Sequence, residues 1–408
     1  MVKDMTNGSP SKHILGFAVP MLFGMLFQQF YNLVDTIIVG KTLGVEALAG
    51  VGATGSINFM IIGFCMGVCN GFVIPVAQCF GAKKPADLRK YVFNGYICSI
   101  VFAIVLTLAS VIFCRRILIV MNTPADIIDH AYNYIVVIFI GIPTVFLYNM
   151  VSGVIRSLGD SKTPVVFLVL SSIINVVLDF FLILVCKMGV AGAGLCMNGV
   201  PMGLQYSITA IGSTILQAAV NTLGSTYVAA MTAGSKMFNF TCCPFDALGS
   251  TMATYAGQNV GAAKIKRLGQ GVRSAMIIGS VYSVLSLIAL YFTTDYIALL
   301  FVNASETTII ALTRQFILAS ACFYIPLTGV NVVRFCIQGM GFSVFAISAG
   351  ILEMIGRAFA AIILIPNIGF IGACLASPIA WIAADAFLFP AFIHCAKKLN
   401  ARHNIKSN

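Results

Sequence analysis

Asp35, Asp179, Lys236, Asp246, Arg334, Glu353, Arg357 and Asp385 all fall inside long apolar stretches of this chain. A charge at the centre of a membrane-spanning helix costs about 2.5–3.5 kcal/mol on insertion scales, so each is a candidate for function. Gln28, Asn32 and Asp35 recur at i, i+4 and i+7, which puts them on one helical face, and Asn175 and Asp179 share a face at i, i+4. Two carboxylates with amide neighbours in a low-dielectric setting suit reversible binding of Na⁺ or H⁺. Their oxygens can hold a hard cation, and desolvation with mutual repulsion favours taking up a proton. The competing reading is a hydrogen-bonded polar pair that only fixes helix packing. Function outweighs it for Asp35 and Asp179, because membranes tolerate idle carboxylates poorly. Glu353 and Arg357, opposite in sign at i, i+4, read as an ion pair that neutralises both. Lys236 and Asp246 are open between pairing with each other and lining a cavity. Arg334 and Asp385 show no partner in the sequence.

The elements that must carry these residues are long apolar runs. Of the 408 residues 59% are apolar and 9% charged, against about 25% charged in soluble domains. Runs near or above the ~20 residues that span a bilayer occur near 14–39, 48–77, 91–113, 130–155, 163–186, 200–222, 226–256, 272–292, 309–333, 343–365 and 369–393. The chain therefore reads as an all-α polytopic membrane protein with about eleven spans. The first run has no small-residue cleavage site and reads as a retained helix rather than a signal peptide.

The runs are arranged as a repeat. Residues 74–84 read IPVAQCFGAKK and residues 254–264 read TYAGQNVGAAK, so Gln78 falls on Gln258, Gly81 on Gly261 and Lys84 on Lys264. Val19-Pro20-Met21 matches Val200-Pro201-Met202, and Gly189–Ala193 matches Gly369–Ala373. Pro20 and Pro201 open the two halves as kinks or hinges inside apolar helices. The expected domains are 1–199, with about five spans and a stub, and 200–408, with six. Basic residues cluster in short loops at 83–90 and 264–273 and in the tail, and these should be cytoplasmic, as should the N-terminus. Only five spans lie between the two loops, which would put them on opposite sides; six would put them on the same side. The stub near Gly189–Gly199 thus reads as a missing span in a six-plus-six plan of parallel repeats, a known layout of transporters.

Net charge is +11, from 24 basic against 13 acidic residues, but no aromatic-interleaved basic patch points to nucleic acid. The 13 cysteines are scattered without a CxxC or Cys/His cluster and read as packing residues. No metal spacing, HExxH, GxGD or GxxxxGK[ST] loop occurs, so a metal cofactor, an intramembrane protease and an ATP-driven pump have no support.

Asn32–Asp35 with Val39-Gly40, the paired AQ/GQ-x-x-GA motifs, Arg156-Ser157-Leu158-Gly159-Asp160 and the Gly189–Ala193 turn together resemble the multidrug and toxic compound extrusion (MATE) family. The bacterial and archaeal branch with the damage-inducible type is the nearest in pattern, over roughly 13–397. The resemblance implies two six-helix lobes in the cell membrane, working as a monomer. It also implies export of organic cations coupled to Na⁺ or H⁺, with no cofactor beyond that ion. In that branch Asp35 and Asp179 are the coupling carboxylates, Asn175 a cation ligand, Tyr134 and Asn149 members of the same network, and Pro20 the bending point of the first helix. Met197 stands where the branch has a threonine ligand, and the sixth helix and inter-lobe linker read as deleted. A lipid-linked oligosaccharide flippase of the same superfamily and an inactive deletion variant are the alternatives.

Overall fold

The computed structural model describes residues 4–43, 45–120, 128–167, 225–299 and 306–407, with isolated positions from 170 to 223. All regular structure among them is helical. The helices are α1 (Pro10–Leu43), α2 (Val45–Gly81), α3 (Pro85–Val120), α4 (Ile128–Ile140) and α5 (Ile142–Ser157). There follow α6 (Ser225–Gly261), α7 (Lys266–Ala298), α8 (Thr307–Ala321), α9 (Tyr324–Gly339) and α10 (Ser343–Phe359). A π-helical turn, Ala360–Leu364, then leads into α11 (Ile365–Ile368) and α12 (Phe370–Ser407). The predicted spans at 200–222 and, past its first turn, 163–186 lie outside the described residues, as do the stub, Pro201 and Met197.

By length and composition six of these helices can cross a membrane, or up to eight if each of two bent pairs counts as one span. The bent pairs are α4 with α5, at 48°, and α8 with α9, at 51°. Straight spans expected at 130–155 and 309–333 are therefore broken. Each break is followed by an Ile-Pro pair, Ile142-Pro143 and Ile325-Pro326. A proline that lacks its N–H is well placed in a first helical turn and cannot continue the helix before it.

The repeat is also visible in how helices end. Lys83 and Ala263 both take the left-handed conformation, at φ 55° and 59°. Beside them the Lys84 amide donates to Cys79 (3.1 Å) and the Lys264 amide to Asn259 (2.8 Å), the same six-residue closure in both halves. A second pair closes the same way: Gly159 and Gly341 have φ of 85° and 88°, with Asp160 donating to Ile155 and Phe342 to Ile337. Turn for turn, the two halves use one solution.

The chain forms two compact units. Unit 1 comprises chiefly 23–80 and 84–207, and Ile135, Ile138, Phe139, Ile142, Phe146 and Met150 are central to its buried core. Unit 2 comprises Ile208–Asn408 together with Asp4–Leu22 and Gly81–Lys83. Its core holds a run of rings: Trp381 stacks on Phe238 at 5.9 Å, and Tyr324 lies between Phe238 and Phe245 at 6.2 and 5.3 Å. A Cβ on Gly339 would sit 2.3 Å from the Ala253 carbonyl oxygen, so only glycine lets α9 and α6 approach this closely. The outward surface is apolar along α7, with Ile277, Val281, Val284, Leu285, Ile288 and Phe292 all exposed. Such a surface suits lipid rather than water.

Candidate functional site

Asp35 and Asn32 belong to α1, whose backbone is described there, while their side chains lie outside the described residues. Asn175 and Asp179 lie outside them altogether. The other residues named for that network are described, and they are buried. Gln28 on α1 is 7% exposed, Tyr134 on α4 2% and Asn149 on α5 3%. Tyr134 belongs to the apolar core of this unit, and the Asn149 amide donates to the Val145 carbonyl one turn back (2.8 Å). That bond uses one of its two donor hydrogens and leaves the side-chain oxygen as an acceptor. Pro20 lies inside α1 and removes one helix hydrogen bond. It stands two residues before the point where α1 leaves unit 2 for unit 1. Asp35 follows it by about four turns.

Unit 2 holds a buried charge cluster drawn from three helices. Arg334 of α9 pairs with Glu353 of α10, and Arg357, one turn along α10, reaches the other Glu353 oxygen at 3.4 Å. The side chains of all three are 7% exposed or less. Asp385 of α12 faces Arg334 and packs against Gly329 of α9, where a Cβ would come within 2.5 Å of its carboxylate. The expected Glu353–Arg357 pair is present, but Arg334 and Asp385 are not solitary, as the sequence suggested. Their partners sit on other helices, which no local spacing reveals. Two arginines and two carboxylates cancel in formal charge, which is the condition for burying them.

Lys236 and Asp246 do not pair. Both are on α6, and ten residues separate them by about 15 Å along the axis. Lys236 is exposed and Asp246 half-buried.

The sequence reading missed a third arrangement. Residues 4–9, ahead of α1, are held by the second copy of the repeated motif. Met5 is fully buried; its amide donates to Gln258 Oε1 (2.9 Å), and its carbonyl accepts from Asn259 (3.3 Å) and Arg267 (3.2 Å). Lys264 Nζ donates to the Thr6 carbonyl at 3.0 Å. Partial burial pushes the Asp4 carboxyl up, but hydrogen bonds from Thr6 and the ammonium groups of Lys83 and Lys264 outweigh it and hold Asp4 below its usual range. Asp4 thus stands between lysines of both basic loops, and Gly81 packs directly on the Gln258 backbone. Lys83 and Lys264 both act on this leader. A repeated Gln and Lys beside a turn was the available signal, because such side chains often serve backbone groups.

Two matches in tandem decide the family. The MatE family model covers residues 20–181 and again 201–363. The chain belongs to the MATE family. The offset between the two matches is the one that relates Pro20 to Pro201. Among curated relatives, the probable multidrug resistance protein YpnP of Bacillus subtilis (strain 168) is 27% identical over 370 residues, covering 81% of this chain and 82% of the relative. DNA damage-inducible protein F of Escherichia coli (strain K12) is 26% identical over 190 residues, 46% of this chain and 41% of that protein. A solved structure, the outward-facing conformation of a multidrug resistance MATE family transporter of the MOP superfamily, superposes with a TM-score of 0.89 at 20% identity. It covers 97% of this chain and 98% of that one, and so shows that the fold is that of the MATE transporters. The protein is an all-α, multi-pass membrane protein of a transporter family.

Proposed function

We propose that this MATE protein is a secondary multidrug exporter that expels organic cations in exchange for Na⁺ or H⁺ by alternating access. The observation that carries the reading is the tandem family match over both halves, with its motifs, joined to the multidrug resistance relative that aligns along most of its length. Asp35 and Asp179 take the coupling ion, with Asn175 as a ligand. Tyr134, Asn149, Gln28 and Asn32 order the network around them, since fixed oxygen and amide groups hold a bound cation in place. Pro20 supplies the bend in α1, being placed within a helix that contributes to both units. The protein works as a monomer in the cell membrane with its N-terminus in the cytoplasm. The positive-inside rule supports that orientation, because the leader sits beside the basic residues Lys83, Lys264 and Arg267.

Everted membrane vesicles carrying the full chain test this. Ethidium should accumulate inside them when a Na⁺ or proton gradient is imposed and leak out when it is collapsed. Asp35→Asn should abolish accumulation while leaving the amount of protein in the membrane unchanged. Full pumping by that variant would remove Asp35 from the mechanism, and no gradient-driven uptake by the parent would sink the reading itself.

A further inference from the structure

Along unit 2 most exposed helix faces are apolar, but α6 departs from this. Its exposed positions include Thr232, Lys236 and Asn239, at i, i+4 and i+7, and the half-buried Ser235, Asp246 and Ser250 continue the same face. This helix, 37 residues long, is not among those apolar enough throughout to count as a span by composition. Lys236 lies about 16 Å from the helix start and more than twice as far from its end. From Thr232 to Ser250 this polar face runs about 27 Å along the axis, close to the ~30 Å of a hydrocarbon core, so snorkelling of one stem cannot bring it all to an interface. Facing lipid it would leave polar groups in hydrocarbon, with a charge costing up to about 2.5–3.5 kcal/mol. The face therefore borders water. Thr232 gives its hydroxyl hydrogen to the Val228 carbonyl (2.8 Å), which leaves Lys236 and the Asn239 amide as the donors. Among the described residues no ion pair or side-chain hydrogen bond engages either of them.

We propose that Lys236, assisted by Asn239 one turn further on, binds an oxyanion, a carboxylate or phosphate, of the solutes that pass this helix. The inference rests on the transport reading and narrows it: solutes recognised here carry an anionic group as well as any cationic one. An ammonium and an amide on one helical face present convergent N–H groups, and a charge-assisted bond to an oxyanion is about twice as strong as a neutral one. The only carboxylate on this face is Asp246, about 15 Å away along the axis, too far to satisfy the ammonium.

The test uses the purified full chain in nanodiscs of zwitterionic lipid, with carboxyfluorescein and ethidium as probes and fluorescence polarisation as readout. Lys236→Ala should weaken carboxyfluorescein binding about tenfold, which corresponds to about 1.4 kcal/mol, while ethidium binding is unchanged. Lys236→Arg should keep most of the affinity, and Lys236→Gln stands in should the alanine variant not fold. Added salt should weaken carboxyfluorescein binding in the parent far more than in Lys236→Ala. Competition by inorganic phosphate would identify a soluble oxyanion, whereas competition only by phosphatidylglycerol built into the disc would identify a lipid headgroup; either places an oxyanion at Lys236. Equal carboxyfluorescein affinity in parent and Lys236→Ala, or parallel loss of both probes, would overturn the proposal. Failure of gradient-driven ethidium uptake would instead overturn the transport reading and leave this binding result intact.

Discussion

Glu353→Gln should cost more stability than any surface change in this protein, and the cluster around it gives the size. One carboxylate serves two guanidinium groups, Arg334 on one oxygen and Arg357 at 3.4 Å on the other, with its side chain 4% exposed. The glutamine keeps the shape but removes the charge, and leaves two buried cations without the carboxylate they shared, with Asp385 facing Arg334. Removing one partner of a buried pair costs about 3–5 kcal/mol. The lower end applies, because the Arg357 contact is long and Asp385 still faces Arg334. At about 2–4 °C per kcal/mol for a unit of this size, the unfolding midpoint should fall by roughly 6–12 °C. The chain's single tryptophan is the reporter: Trp381 stacks on Phe238 inside the same unit, so its emission follows loss of that core. Heating the detergent-solubilised chain while recording that emission measures the shift. The double variant Glu353→Gln with Arg334→Gln should recover part of the loss, since one buried cation goes with the anion. A shift below about 2 °C, or additive losses in the double variant, would refute the claim that these charges are held by one another.

The leader contacts predict that Arg267→Ala, which removes donors to the Met5 carbonyl and to Asn259, speeds hydrogen exchange across residues 4–9 about tenfold, on the scale of one lost charged hydrogen bond. An exchange rate equal to the parent's would mean that Arg267 takes no part in holding the leader. Asp160 accepts from the Lys162 and Thr163 amides and the Thr163 hydroxyl, at 3.0, 3.1 and 2.8 Å, and so caps the helical turn at 162–167. Partial burial pushes its carboxyl up, but these bonds prevail and bring it down from 3.8 to about 2. A lowered value means its contribution is complete above pH 4 and fades as pH falls through about 2. Asp160→Ala should therefore destabilise the chain by about 1 kcal/mol at pH 6 and by progressively less towards pH 2; a loss independent of pH would sink the capping account.

The helical class and most helix positions were legible because each rests on residues close in sequence, and the repeat because the two halves align residue for residue. Gln78 and Gln258, or Pro20 and Pro201, are read directly, and the left-handed turns at Lys83 and Ala263 show the same relation in the backbone. The bends at 141 and 322 were readable too, from Ile142-Pro143 and Ile325-Pro326, but apolar runs that continue through them masked the breaks. The partners of Arg334 and Asp385 were not readable, because three helices distant in sequence build that cluster. Treating Gln258 and Lys264 as family markers concealed their work on the leader, since a motif names residues without naming what they hold. Lys236 was visible as a charge, but only the surface of α6 shows that it faces outward, with no partner among the described residues.

The hold on the leader also fixes an order of events in making the protein. Met5 is synthesised before Gln258, which follows it by 253 positions. At about 5–20 residues per second, roughly 13–50 s pass before the Met5 amide has its acceptor. Through that interval the apolar Met5 and the start of α1 must wait undocked while earlier helices insert. Closure of this contact is therefore a late step of assembly, set by the arrival of the second half rather than by the strength of the bonds that complete it.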